Sequence, residues 1–303
     1  TGTRPTSRVL SEGSNMGANQ QATIRTRATV SGHPTMVSWS RGKPRLYLAD
    51  ADGPIDLAGL LGEEVRVDIQ PGFRCQHCGN RADASPCQDC ESKPPFQQCV
   101  FTPGTSCTYQ DCPFPSFKRR SCAHNFVVYL VAKDGVKAGI TQADRYVSRW
   151  AEQGATHGMI VARAPNRRAA GTVEDALEAV GSTASTKEWY EPLNEPSKDL
   201  VRTANSCRDV LTGPLKPFSV LPSDEEGVAD RIVSVPVHFT GDDTTVVDLP
   251  EVGVGEELQS EVLGVRGQIL ATEDGVVNFD HLKGEQLTVE APADALPATE
   301  EAR

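Results

Sequence analysis

Apolar and polar positions change texture several times along the chain. The densest apolar stretch begins with Phe126 to Ala132 (FVVYLVA). Asp134-Gly135 then offers a tight turn and Val136 to Thr141 a second strand, which is a hairpin pattern. Asp144 to Gln153 follows with Tyr146, Val147 and Trp150 on one side at helical spacing and Gly154 as a stop, and Met159 to Ala164 predicts a third strand. Thr172 is expected to cap a helix running to about Val180, with Val173, Ala176, Leu177 and Val180 on its apolar face. That places Glu174 and Asp175 in the first turn, where the helix dipole favours acid.

On either side the period shortens to two. Ala28 to Gln70 holds Met36–Trp39, Leu46–Ala49 and Val65–Ile69, broken at Gly32-His33-Pro34, Gly42-Lys43-Pro44 and Asp52-Gly53-Pro54. Beyond Pro214, Arg231–Phe239, Thr244–Leu249, Glu261–Thr272, Gly275–Phe279 and Gln286–Glu290 read as strands, with Gly264 and Gly267 as bulge or close-approach sites. Each set is short of strands for a closed core, so the two are expected to pack together as one β-barrel-like unit. Thr1 to Arg25 is polar and aperiodic and reads as a disordered arm. The expected organisation is an α+β chain. It comprises an arm over 1–25, a β-rich part over 26–74, a Cys-rich segment over 75–124, a mixed domain over 125–210, an acidic β-rich part over 211–295 and a frayed end over 296–303.

Charge first argues against nucleic acid, since 30 basic residues face 41 acidic ones for a net of -11. Its distribution lifts the objection. Leu211 to Arg303 carries 19 acids and five bases, whereas Pro113 to Gly171 carries ten bases and three acids. Phosphate contacts respond to charge within about 8 Å at physiological salt, so the net charge does not exclude nucleic acid. A solvated Arg-rich face is the plain alternative. Lys118, Arg119, Arg120, Lys137, Arg145, Arg167 and Arg168 are the candidate phosphate contacts, and the acidic tail is a candidate cover for them. No run of 18 apolar residues and no charged leader before an apolar core is present, so a cytoplasmic chain without a membrane partner is expected.

The cysteines carry the strongest local signal. Cys75-Gln-His-Cys78 and Cys87-Gln-Asp-Cys90 are two CxxC knuckles, each turning two sulfurs onto one point, and together they make a tetrahedral thiolate shell for a structural Zn²⁺. A pair of disulfides is the competing reading and would suit a secreted chain. Cys99, Cys107, Cys112 and Cys122 could form a second zinc site, with His124 as a substitute ligand, or remain buried thiols or a mixed pair. Cys207 reads as a lone buried thiol, and His77 as no ligand.

Phosphodiester chemistry needs a group to position or activate water, a cation for the developing charge and a carboxylate for a divalent metal. Tyr129, Arg149 and Glu174 are the candidates for those roles. Singly, each also fits a structural place, as a strand residue, a surface helix charge and a first-turn acid.

Val127-Val128-Tyr129, Lys137-Ala138-Gly139-Ile140-Thr141 and Arg149 resemble the motif series of the GIY-YIG nucleases, and Glu174 falls where that superfamily keeps its metal-binding glutamate. More closely, the chain resembles a family of uncharacterised prokaryotic proteins in which a Cys-rich, zinc-ribbon-like segment precedes a GIY-YIG-like domain. The stretches that carry this likeness include Cys75–Gly79, Val128-Tyr129-Leu130, Arg149–Ala155, Gly171–Glu174, Leu263–Gln268 and Asp274–Asn278, within about Gly62 to Val289. The resemblance implies a small three-stranded sheet with helices, a DNA or RNA partner, and Mg²⁺ or Mn²⁺ on Glu174 if the site cuts. Two positions depart from the motif: Lys137 stands in place of a tyrosine, and Gln153 in place of a histidine or tyrosine. Lys137 can hold phosphate but is no phenol, and Gln153 does not shuttle a proton at neutral pH. The alternative is a non-catalytic zinc-containing binding or protein-interaction module on a degenerate nuclease scaffold.

Overall fold

The computed structural model describes residues 26–178, 195–240 and 249–297. The arm, nearly all of the strand expected over Thr244–Leu249, the helix end at Val180 and the tail beyond Pro297 lie outside these residues. Leu296, expected to fray, is buried in the main core.

Strands β1 (Arg27–Gly32), β2 (Pro34–Ser40), β3 (Lys43–Leu48), β4 (Ile55–Asp56) and β5 (Glu64–Gln70) occupy the N-terminal part. In β3 and β5 every second residue is buried (Pro44, Leu46, Leu48; Val65, Val67, Ile69), as a sheet with one wet face requires. β2 and β3 join through Arg41 and Gly42, both at positive φ (52° and 75°), the twist a two-residue hairpin turn needs. The later strands are β6 (Phe126–Ala132), β7 (Val136–Gln142), β8 (His157–Ala164), β9 (Val233–Ser234), β10 (His238–Phe239), β11 (Glu257–Arg266), β12 (Ile269–Thr272), β13 (Val276–Asn278) and β14 (Gln286–Pro292).

Three antiparallel sheets result. The largest runs β1-β14-β5-β11-β12-β13 with β10 beside β11, so strands from both ends of the chain interleave, as in the pairs Val30 with Val289 and Val67 with Leu258. It does not close into the expected barrel. Only His33 separates β1 from β2, and Pro34 offers no donor to a ladder, so the chain leaves the sheet there and β2-β3-β4 form a second sheet. That second sheet packs on the first through Val37, Trp39, Leu46 and Ile55. The stretch expected as one strand over Glu261–Thr272 is a hairpin, turning at Gly267 (φ 62°) with a register shift between Val262 and Gly264. Gly264 accommodates Phe239, whose ring would lie 2.1 Å from an added Cβ.

The third sheet, β7-β6-β8-β9, carries the candidate chemistry. All seven residues of β6 are buried because both faces are covered. Val127, Tyr129 and Val131 face the main core and helix α1 (Tyr146–Glu152), while Phe126, Val128 and Leu130 face helices α2 (Arg167–Glu178) and α3 (Pro196–Val210). Helix α2 starts before the expected cap. Asn166 Oδ1 accepts the amide of Ala169 at 2.9 Å, and Thr172 lies inside the helix with its hydroxyl on the Arg168 carbonyl. Glu174 is therefore beyond the first turn. Val147, expected on the buried side of α1, is exposed. Helix α3 had no clear signature because its buried residues, Leu200, Ala204 and Cys207, include two small ones.

The Cys-rich segment is built of single helical turns and docks on α2. An added Cβ at Gly171 would lie 2.5 Å from the Gly104 nitrogen, so the backbones touch, and Arg167 Nη2 donates to the Val100 carbonyl at 2.8 Å. The helix bearing Glu174 is thereby tied to the segment bearing the thiols.

Candidate active site and metal centre

Tyr129 sits mid-strand in β6, paired with Gly139 on β7 and Ile160 on β8. Its ring is 1% exposed and lies 5.8 Å from that of Trp150. Gly139 is required by this ring, since a Cβ there would stand 2.6 Å from the phenol oxygen. The hydroxyl donates to Gln153 Oε1 at 2.9 Å. Burial pushes the phenol up to about 12; the Arg149 guanidinium opposes the shift and the charge of Glu174 adds to it. At neutral pH Tyr129 is thus a protonated, oriented donor.

Glu174 lies on α2, near enough for its charge to act on the Tyr129 phenol. Burial, then the nearby carboxylates of Glu178 and Asp175, push it up to about 7, with Arg167 and Lys137 pulling the other way. Lys137 pairs with Val131, two residues from the Tyr129–Gly139 pair, and so shares the sheet face of Tyr129. Arg149 is half-exposed on α1 and reaches Glu152 at 3.6 Å, while Arg145 reaches the same carboxylate at 3.2 Å. Tyr129 thus feels the charges of Arg149 and Glu174, and Glu174 those of Arg167 and Lys137.

Two parts of this arrangement escaped the sequence reading. Glu152 is buried and pairs with Arg149 of α1 and with Arg145 just before it; its signal was an acid three and seven residues after them. The other is the role of Arg266-Gly267-Gln268 at the β11–β12 turn, where the close approach expected at Gly267 falls on the end of α1. Arg266 Nε donates to the Gly154 carbonyl at 2.7 Å, and Gln268 Nε2 donates to the carbonyls of Glu152 (3.2 Å) and Val37 (2.8 Å). Gln268 Oε1 accepts the Val37 amide at 2.8 Å, and Trp39 Nε1 donates to the Gly267 carbonyl at 2.8 Å. An added Cβ at Gly267 would lie 2.9 Å from the Gly154 nitrogen, so the turn abuts the end of α1. This hub sets where α1 stops, and with it where Gln153 meets Tyr129.

The basic residues divide by what they already hold. Lys118 donates to the Tyr109 carbonyl and lies over the Tyr109 ring, and Arg167 is bound to Val100, so both are engaged within the chain. Arg145 is half-committed to Glu152. Arg119, Arg120, Lys137 and Arg168 are exposed. A cavity of about 770 Å³ between α3 and Glu225–Ala229 includes none of the expected site residues.

Cys75, Cys78, Cys87 and Cys90 are brought together with all four sulfurs within 4.8 Å of one another, half of them buried, and none is in a disulfide. Gly79, at φ 75°, follows the first knuckle and donates to the Cys75 carbonyl at 2.8 Å. The Cys87 amide donates to Cys75 Sγ at 3.4 Å and Lys93 Nζ to Cys90 Sγ at 3.2 Å, which stabilises thiolate charge. Four sulfur donors with donor groups around them fit a tetrahedral, closed metal centre. Among the described residues no second group of sulfurs meets that spacing. Cys107 and Cys122 are pushed up by burial and also feel the charges of Cys99 and Cys112, so the later cysteines are neighbours without forming such a cage. His124 contacts the Arg120 carbonyl at 2.9 Å, and His77 stacks edge-on against Phe96. Cys207 is buried beneath β6 and pushed up to about 11 by that burial.

No helix among the described residues is long and apolar enough to cross a membrane. Neither curated proteins nor solved structures give a match to the chain. A family model described as "Protein of unknown function (DUF2797)" matches residues 62–287, from the strand before the first knuckle to the last strand of the large sheet, and the chain belongs to that family.

Proposed function

We propose that this is a nucleic-acid-binding protein stapled by zinc at Cys75, Cys78, Cys87 and Cys90, whose Tyr129–Arg149–Glu174 cluster cleaves phosphodiesters as the GIY-YIG nucleases it resembles do. The observation that supports the reading is Tyr129, held by Gln153 where Gly139 clears room for the phenol and acted on by the charges of Arg149 and Glu174. A soft, four-thiolate donor set favours zinc over the harder divalent ions. The hard carboxylate of Glu174 would instead hold Mg²⁺ or Mn²⁺, which when bound supplies charge neutralisation at the phosphate. Arg149 binds the phosphate oxygens, Tyr129 donates a hydrogen bond from a fixed position, and Gln153 keeps that hydroxyl in place. Arg119, Arg120, Lys137 and Arg168 extend the contact along the backbone of DNA or RNA.

One observation favours a second reading, a module that binds without cutting: the phenol is almost fully buried and no proton shuttle stands at position 153. Labelled single- and double-stranded DNA and RNA, incubated with Mg²⁺ or Mn²⁺, separate the two. Cleavage that falls about 100-fold or more in Glu174→Ala and in Arg149→Ala is expected. Cleavage that survives Glu174→Ala overturns the residue assignment, and salt-sensitive binding without cleavage decides for the second reading. No binding to any nucleic acid at low salt overturns both.

A further inference from the structure

Beside the Tyr129 cluster, on the same face of the third sheet, lies a pocket of about 320 Å³ that none of the roles above uses. Its floor is Trp150 and Ile160, the latter paired in register with Tyr129. Tyr146 forms one wall, its ring edge-on to Trp150 at 4.9 Å. Arg163 from β8 and Arg231 from the turn before β9 also line it.

Two features point to a ligand. Arg163 and Arg231 come from separate elements and both line the pocket, no carboxylate among the described residues lines it, and neither arginine forms an ion pair among those residues. Cationic side chains without a counter-ion call for an anion, and a guanidinium fork matches phosphate geometry. The half-buried Tyr146 ring beside the aliphatic Ile160 suits a flat π-system, and the volume holds one nucleotide-sized ligand but not a duplex.

We propose that this pocket binds a single nucleotide, with the base against Tyr146 and Ile160 and the phosphate held by Arg163 and Arg231. The choice of a nucleotide among aromatic anions rests on the phosphodiester reading above. The pocket adjoins α1, which carries Arg149, so a nucleotide held here would fix the strand's register at the cluster.

The test is titration calorimetry of the full chain with AMP, adenosine, inorganic phosphate and a short oligoadenylate, without divalent metal. AMP is expected to bind with one-to-one stoichiometry and more tightly than either half-ligand, and Arg163→Gln and Arg231→Gln should each weaken it about tenfold. Both arginines are exposed, so these variants should fold; Tyr146→Leu, which keeps the apolar wall, should weaken base-containing ligands only. Oligoadenylate binding tighter than AMP with the same arginine dependence assigns the pocket to a nucleotide within a strand, and equal affinity assigns it to a free nucleotide. No saturable binding of either, or binding unchanged in the double arginine variant, overturns the proposal. Arginine-dependent AMP binding by a chain that cleaves nothing keeps the pocket and removes the phosphodiester reading, while Glu174-dependent cleavage without nucleotide binding does the reverse.

Discussion

Glu174 is the residue whose ionisation the fold disturbs most usefully. Its carboxyl is raised from an ordinary value to about 7, chiefly by burial and then by Glu178 and Asp175. A raised acid holds its proton in the folded chain while the unfolded chain has already lost it. Stability is therefore undiminished below the ordinary glutamate range and is lost as pH rises toward 7. Glu174→Gln removes this cost, so without divalent metal it is expected to stabilise the protein at pH 8 by on the order of 1–3 kcal/mol and to have little effect at pH 4. Urea unfolding at the two pH values checks this, and an equal effect at both would remove the burial argument. Added Mn²⁺ should reverse the ranking at pH 8, because only the carboxylate holds the ion. Tyr129 was legible in the sequence as a motif residue, but not as a buried donor. Its environment comes from Gly139 across the strand pair and Gln153 at a helix end.

At the scale of elements, two joints stand out. The first is the pair of CxxC knuckles, whose spacing alone implied a common point for four sulfurs because each knuckle is a local turn. One zinc per chain is expected by elemental analysis, lost on strong chelation together with the appearance of thiol reactivity at Cys75, Cys78, Cys87 and Cys90; purified protein devoid of metal would refute the staple. The later cysteines behaved differently. Their spacing matched no knuckle, and where they lie depends on how Pro103–Ser106 and Lys118–Cys122 pack on α2. The second joint is the β11–β12 turn against the end of α1. Gly267→Ala meets both a positive φ and the Gly154 backbone, and is expected to destabilise by about 2–4 kcal/mol. Gly255→Ala, with φ 90° and nothing within 4 Å, isolates the backbone cost at about 1–2 kcal/mol. Equal losses in the two variants would mean that the turn does not press on α1.

For the molecule as a whole, the acidic C-terminal part is no detachable cover over the basic block. β11, β12, β13 and β14 belong to the large sheet, β9 completes the third sheet, and Leu211 and Val228 lie in the core beneath β6. Removing everything from Leu211 would dismantle two sheets. The basic surface is better probed by charge. Replacing exposed Arg119 and Arg120 with Gln should weaken binding to all sequences alike and reduce the slope of log affinity against log salt by about 2. An unchanged slope would move the phosphate contacts elsewhere.

What the sequence determined was everything local. The β6–β7 hairpin, helix α1 with its stop at Gly154, the strand periodicity and the first metal cage all follow from period, turn chemistry and short spacing. Tertiary structure alone decided the rest. The barrel stays open because β2 leaves the sheet at Pro34, α2 begins at Arg167 because Asn166 supplies its cap, and Lys118 and Arg167 are taken up by carbonyls of the Cys-rich segment. Above all, the α1 end is positioned by Gln268 and Arg266, more than a hundred residues away in the chain. Such contacts form between side chains and backbone groups whose proximity is set by packing, and one-dimensional periodicity carries no record of it.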